Sequence, residues 1–168
     1  MTYTPEMSVS TDPMLDESRL AAWQAFLDAH AAVRVVLECE LERERGLALT
    51  VYDVLVQLAS ASGGRLRMQE LASRLVFSRS GATRLVDRMA RDGLVGREPC
   101  PDDRRGTFAV ITEAGRETLR DASGVHMRGI ATHFGSVLDD ADVTALRRAM
   151  EKVLAANQPA NEIEKGSS

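Results

Sequence analysis

The chain has few of the residue types that mark specialised protein classes. Only two of its 168 residues are cysteines, too few for a disulfide scaffold or a cysteine-rich zinc module. Aromatic residues make up 4% of the sequence, which argues against an RNA binder that stacks bases on rings. No unbroken apolar run approaches the ~20 residues of a membrane span, and the N-terminus lacks the pattern of a secretory signal. We therefore expect a cytoplasmic protein without a membrane partner.

Catalytic motifs are missing as well. The sequence has no Gly-x-Ser-x-Gly elbow, no glycine loop that would cradle phosphates and no His-Glu-x-x-His pair. His30, His126 and His133 leave zinc binding as a minor alternative, but no two of them have the spacing of paired metal ligands. We expect a protein that is not an enzyme and that needs no cofactor or metal.

Charge is unevenly distributed along the chain. The net charge is −4, yet residues 64–110 contain ten basic and six acidic side chains, and every basic residue among them is arginine. A basic segment in an acidic protein indicates a polyanion site, because phosphates attract arginine while the acidic remainder limits unspecific binding. A coding bias towards arginine is the competing explanation for the absence of lysine.

Apolar periodicity predicts a mainly helical single domain over residues 15–156, between a disordered head (1–14) and a disordered tail (157–168). A long first helix is predicted from Asp16 to Arg45, with its interleaved glutamates forming a solvated surface. Thr50 and Asp53 fit the T-x-x-D start of a second helix. Two further helices are predicted at residues 113–136 and from Asp139 onward.

The fourth predicted helix, residues 78–91, has two different faces. Ala82, Leu85, Val86 and Met89 form a stripe at helical spacing that must face a core. The opposite face is polar, and a serine at position 78 or 80 can cap the helix. Such a helix can be held on a core while its polar face enters the DNA major groove. Its candidate DNA-binding residues are Arg79, Ser80, Thr83, Arg84 and Arg88.

Two extended segments follow, residues 94–98 and 107–111, around a loop rich in proline and charge. This hairpin and the helices before it have the order of a winged helix-turn-helix, in which the hairpin is the wing. Arg104 and Arg105 at its tip are candidates for the minor groove. The apolar faces of residues 15–45 and 113–156 exceed what a small core can absorb, so we expect dimerisation there, with the winged lobe at residues 47–112.

Several short motifs, taken in order, resemble the MarR family of bacterial transcription regulators. They are LTVYDVL (49–55), LASRL (71–75), SRSGATRLVDRM (78–89), DGLV (92–95), DDRRG (102–106) and ITEAG (111–115). The resemblance, over residues 20–155, implies a homodimer that binds a palindromic double-stranded DNA operator, and a repressor that responds to a ligand. The family's wing signature Asp-x-Arg falls on Asp103 and Arg105, which implies that Asp103 orients the wing.

The resemblance also raises two questions about small-molecule signals. In relatives, small aromatic acids bind between the dimerisation helices and the DNA-binding lobe. Candidate residues for binding a small aromatic or phenolic effector here are Trp23, Phe26 and His30. A place in the core of the dimer is the simpler interpretation of these side chains. Some relatives sense oxidants through a thiol near the start of the first helix. Cys39 departs from that position and is expected to be buried and inert, whereas Cys100 is expected to be exposed.

Two alternatives to a ligand-responsive repressor remain open at this point. One is a thiol-based redox-sensing regulator. The other is a winged-helix protein-interaction module that has lost DNA binding, against which the arginines of the fourth helix and the wing argue.

Overall fold

Six α-helices and a small antiparallel sheet make up the residues that the computed structural model describes, 16–101 and 103–157. The helices are α1 (Glu17–Arg45), α2 (Leu49–Ala59), α3 (Met68–Arg74), α4 (Arg79–Arg91), α5 (Glu113–His133) and α6 (Asp140–Asn157), with 3-10 turns at Ser62–Gly64 and Gly135–Val137. The strands are β1 (Arg65–Arg67), β2 (Val95–Cys100) and β3 (Asp103–Ile111), and β3 lies in the middle of the sheet. The mainly α fold class with a β-hairpin wing is confirmed.

The core lies where the last third of α1 meets α2, α3, α4, α5 and the sheet. Leu41, Leu55, Leu58 and Leu71 are fully buried there. The predicted apolar stripe of α4 is buried as well, from Ala82 to Met89, so the orientation of this helix follows from its sequence. Burying a side chain of this size stabilises the fold by roughly 1.5–3 kcal/mol.

Two helix starts are capped as predicted. The Ser78 hydroxyl accepts a hydrogen bond from the Gly81 amide at 3.1 Å and begins α4. The Thr112 hydroxyl accepts from the Gly115 amide at 3.0 Å and begins α5. Each bond satisfies one of the amides that a helix start leaves without a partner.

The predicted cap of α2 is wrong. Ala48 is the cap residue, and the carboxylate of Glu38 in α1 accepts the Leu49 amide at 3.2 Å instead. Asp53 pairs with Arg34 of α1, with 3.2 Å between the guanidinium nitrogen and the carboxylate oxygen. A carboxylate from a neighbouring helix thus takes the place that Thr50 and Asp53 were expected to fill, since a negative charge at a helix start is favourable whatever its origin.

The interleaved glutamates of α1 do not all face solvent, contrary to the prediction. Besides Glu38, Glu40 contacts His133 of α5 at 2.8 Å, and Glu44 pairs with Arg128 of α5 at 2.8 Å. These contacts join α1 to α5 along the same stretch in which Gly129 brings the two helices together, since a Cβ on Gly129 would lie 2.5 Å from Leu37. Gly124 is exposed and makes no such approach.

Gly115 forms the junction between the wing and α5. A Cβ at this position would overlap the carbonyl oxygen of Leu94, which also accepts the Thr112 amide at 3.2 Å. The close approach explains why the capping motif at Thr112 has glycine where an acidic residue is usual.

Several predicted boundaries shift. Helix α5 ends at His133, before the predicted Ser136, and Asn157 belongs to α6 rather than to the tail. The predicted head and the remaining tail lie outside the described residues.

By length and composition alone, α1 could cross a membrane, which corrects the earlier exclusion of such a segment. That exclusion required an unbroken apolar run, whereas α1 mixes apolar residues with scattered charges, as helices that pack against protein also do.

Candidate nucleic-acid interface

The polar face of α4 is exposed over its whole length. Arg79, Ser80, Thr83, Arg84 and Arg88, predicted as DNA-binding residues, are all exposed and lie opposite the buried stripe. Asp87 on the same face pairs with Arg97 of β2 at 3.2 Å, which offsets the acidic charge on this face. The helix therefore presents an excess of positive charge on a rigid, capped element.

The wing is longer than predicted, and its turn is shorter. Strands β2 and β3 pair from Val95 opposite Ile111 to Cys100 opposite Asp103, with a register shift at Pro99 and Cys100. The predicted loop over residues 99–106 is therefore mostly strand, because proline is tolerated at a sheet edge and at a bulge. Arg104 and Arg105 lie at the start of β3 beside the turn.

Asp103 at the base of this turn contacts Arg67 of β1, with 3.6 Å between the carboxylate oxygen and the guanidinium nitrogen. Gly106 makes room for the arrangement, since a Cβ there would lie 2.8 Å from the Cys100 sulfur and 2.9 Å from an Asp103 oxygen. The carboxylate is thus placed between the wing and β1, where it can orient the hairpin.

Arg65 and Arg67 are interface candidates that the sequence analysis missed. Both side chains of β1 are exposed on either side of buried Leu66, and their guanidinium groups lie 4.9 and 5.9 Å from the centre of the Phe108 ring. Arg67 also lines a cleft of about 380 Å³ between α4 and the wing, together with Arg79 and Thr83. The alternation of Arg-Leu-Arg, typical of a half-buried strand, is the signal that would have identified them.

A second hollow, of about 470 Å³, flanks the other side of α4. Its walls come from the start of α2, from the turn between α3 and α4, and from α4 itself, with the lining residues Thr50, Val76, Phe77, Ser78, Gly81, Arg84, Leu85 and Arg88. Arginines of α4 and apolar side chains therefore share one concave surface.

The predicted effector residues form an exposed row on α1. The ring of Phe26 lies 6.0 Å from Trp23 and 6.3 Å from His30, and Trp23 is 55% exposed. The three residues line neither of the two hollows. The structure thus brings them together but does not enclose them.

The three histidines occupy separate environments, which corrects the zinc alternative. His30 stacks on Phe26, His133 contacts Glu40, and the ring of His126 lies 4.4 Å from that of Tyr52. Throughout residues 16–101 and 103–157, no three histidine, cysteine or acidic side chains form a group that could hold a metal ion.

His126 lies in surroundings that shift its pKa. Burial lowers the pKa of His126 below its ordinary value of 6.5, Asp53 acts in the opposite direction, and Arg34 lowers it further. Its Nδ1 atom is buried without a hydrogen-bond partner. A neutral ring is therefore favoured between α2 and α5.

Both cysteine predictions are wrong. Cys39 is exposed, because it lies two residues from buried Leu37 and from buried Leu41 and hence on the opposite side of α1. Cys100 is 4% exposed, because the hairpin closes over it at Gly106. The thiol on α1 is thus the accessible one, and the thiol of the wing is enclosed.

Comparisons with known proteins agree with this geometry. A sequence model of the MarR family matches residues 45–106. The HTH-type transcriptional regulator YkoM of Bacillus subtilis (strain 168) is 31% identical over 98 residues, which are 58% of this chain and 62% of YkoM. The match therefore spans less than two thirds of that relative.

Two solved structures from Streptomyces coelicolor cover more of the chain. The MarR family transcriptional regulator AbsC is 34% identical, with a TM-score of 0.75 over 84% of this chain and 95% of AbsC. The MarR family transcriptional regulator Sco3205, solved in complex with DNA, is 31% identical, with a TM-score of 0.77 over 92% of this chain and 95% of its own. The winged-helix fold class is thereby confirmed.

Proposed function

Since this chain belongs to the MarR family of transcriptional regulators, we propose that it is a sequence-specific regulator of transcription that binds double-stranded DNA as a homodimer. The observation that supports the proposal best is the exposed face of α4, with arginines at positions 79, 84, 88 and 91 opposite a fully buried stripe. Arginine suits this role because its planar fork matches both phosphate oxygens and the edge of guanine.

In this proposal α4 is the recognition helix and lies in the major groove. Arg84 is on the middle of the polar face, where its guanidinium can reach base edges, and Ser80 and Thr83 supply hydroxyl groups nearby. Arg79 and Arg88 lie towards the two flanks of that face, next to the cleft and the hollow, and reach phosphates.

The wing reaches the neighbouring minor groove through Arg105, with Arg104 beside it. The contact between Asp103 and Arg67 supports a role for Asp103 in orienting the wing. An arginine in the minor groove senses groove width and potential more than base identity. The wing therefore adds affinity, while α4 adds discrimination between sequences.

The homodimer is supported by apolar surface that the chain itself leaves open. The stripe of Leu37 and Leu41 on α1 continues towards the start of the helix through His30, Phe26 and Trp23. Leu37 and Leu41 are buried, whereas the other three side chains are exposed. Helix α6 buries no residue against any other part of the described chain. A second copy that covers these surfaces places two recognition helices on the half-sites of a palindromic operator.

The finer assignments belong to the same proposal. They are repression rather than activation, a response to a small aromatic or phenolic effector near Trp23, Phe26 and His30, and a cytoplasmic location without catalytic activity. Because the aromatic row is open on one chain, an effector site there requires the second subunit as its other wall.

Competition binding tests the two DNA contacts separately. A duplex that the wild-type protein selects from a random pool serves as operator, and a scrambled duplex serves as the comparison. Arg84→Ala should weaken operator binding more than binding to scrambled DNA, since a bidentate base contact is worth about 1–3 kcal/mol of discrimination. Arg105→Ala should weaken both and reduce the salt slope by about one ion.

Arg43→Ala is the matched control, because Arg43 is an exposed arginine on α1, outside the proposed DNA interface. It should leave both affinities unchanged. Equal losses on the two duplexes for Arg84→Ala would show that α4 does not read bases. Light scattering that gives the mass of one chain at micromolar concentration would refute the homodimer.

A further inference from the structure

Val76, in the turn between α3 and α4, combines two unfavourable features. Its backbone has a φ of +54°, and it is the one non-glycine residue with positive φ among residues 16–101 and 103–157. Its side chain is 92% exposed, more than any other large apolar residue of that described part. A turn of this shape is usually occupied by glycine, because a β-branched side chain in the left-handed region is strained.

Contacts within the chain do not explain a valine here. Its amide donates to the Ser73 carbonyl at 3.2 Å, a bond that any residue except proline would make. Strain of this kind persists at sites of function, where a residue is held for a partner rather than for the fold. An exposed and strained valine in this turn points to a contact outside the subunit.

The position of Val76 indicates which partner this is. The residue lies two positions before Ser78, the cap of α4, and lines the same hollow as Arg84 and Arg88. A surface that meets all three side chains must present negative charge beside apolar carbon. DNA has this pattern, since its phosphates lie beside deoxyribose carbons and its thymines carry a methyl group in the major groove.

We propose that Val76 is an apolar DNA contact, which packs on a thymine methyl group or a deoxyribose at the edge of the site bound by α4. This inference rests on the proposed DNA-binding function. It adds an apolar element to an interface that otherwise consists of arginine and hydroxyl groups.

Three substitutions separate contact from strain. Val76→Thr keeps the β-branched shape and the strain but replaces a methyl group by a hydroxyl, so operator affinity should fall while the melting temperature stays the same. Val76→Gly removes the side chain and the strain, so affinity should fall while the melting temperature stays the same or rises. Val76→Ile retains apolar contact and should bind as the wild type does. The expected loss for threonine or glycine is about threefold to tenfold per subunit.

The probe is the duplex that the wild-type protein selects from a random pool, together with a version in which deoxyuridine replaces thymidine. If Val76 packs on a thymine methyl group, the deoxyuridine duplex binds the wild type more weakly and the threonine variant loses nothing further. If it packs on deoxyribose, the threonine variant loses the same affinity on both duplexes. Either result supports an apolar contact.

Unchanged affinity of the threonine and glycine variants, beside a wild type that binds its duplex, would overturn this inference and leave the proposed function intact. A changed oligomeric state without a change in affinity would assign Val76 to a protein contact and overturn it as well. A wild-type protein that selects no duplex at all would overturn the proposed function itself.

Discussion

Replacing Gly115 with alanine is expected to destabilise the protein, whereas the same substitution at Gly124 of the same helix is expected to stabilise it. At Gly124 the nearest side-chain atom to a new Cβ is Arg128 Nη1 at 3.7 Å, an ordinary contact. Alanine in an exposed helix interior is favoured over glycine by up to about 1 kcal/mol. Gly124→Ala should therefore raise the free energy of unfolding by about 0.5–1 kcal/mol.

At Gly115 the new methyl group meets atoms that cannot move independently. It would overlap the Leu94 carbonyl oxygen and would lie 3.0 Å from Ile111 and 3.2 Å from Leu55. Overpacking of this kind costs about 1–3 kcal/mol. Displacement of the Leu94 carbonyl also weakens its hydrogen bond from the Thr112 amide, worth about 1 kcal/mol. After a gain in helix propensity of about 1 kcal/mol, the net loss is about 1–3 kcal/mol.

Urea denaturation at one fixed protein concentration measures both variants, because the proposed association of subunits would contribute to apparent stability. Equal slopes against urea for the variants and the wild type would show that the unfolded states are comparable. A Gly115→Ala protein as stable as the wild type would mean that the wing base does not pack on the start of α5 as described. A destabilised Gly124→Ala protein would mean that this face of α5 is covered in the assembled protein.

The remaining predictions concern pH and the thiols. Because burial lowers the pKa of His126, this ring binds more protons in the unfolded than in the folded chain between its lowered folded pKa and 6.5, so stability should fall as the pH drops from about 6.5 to that lowered pKa. His126→Asn should remove that part of the slope, and an unchanged slope would assign it to other groups. An Ellman titration should find one rapidly reacting thiol, Cys39, and a second, Cys100, only after unfolding, because Cys100 is 4% exposed. The fast reaction should be absent in Cys39→Ser, which checks this assignment. Two rapidly reacting thiols in the native wild-type protein would contradict it.

Features fixed by residues close in sequence were predictable. The stripe on α4 and its cap at Ser78 follow from three- and four-residue spacing and from one local hydrogen bond. The exposure of Cys39 was equally readable, since it lies opposite Leu37 and Leu41 on the helix, although the sequence analysis did not use this.

Features that depend on distant pairing were not predictable. The carboxylate that caps α2 comes from Glu38, on another helix, and no motif near the start of α2 predicts it. The contact between Arg67 and Asp103 needs β1 to pair with β3 rather than with the strand next in sequence. Cys100 is buried at a register shift in the hairpin, which strand propensity does not specify.

Helix α6 carries a consequence for the lifetime of the protein. An isolated helix of its 18 residues is only marginally stable in water, and none of them is buried against the rest of the described chain. If the second subunit of the proposed homodimer covers α6, its helical content should depend on that association, and dilution should unwind it. An unwound C-terminal segment is a preferred substrate for proteases. Subunits that find no partner would then be degraded first, which ties the abundance of the protein to its state of assembly.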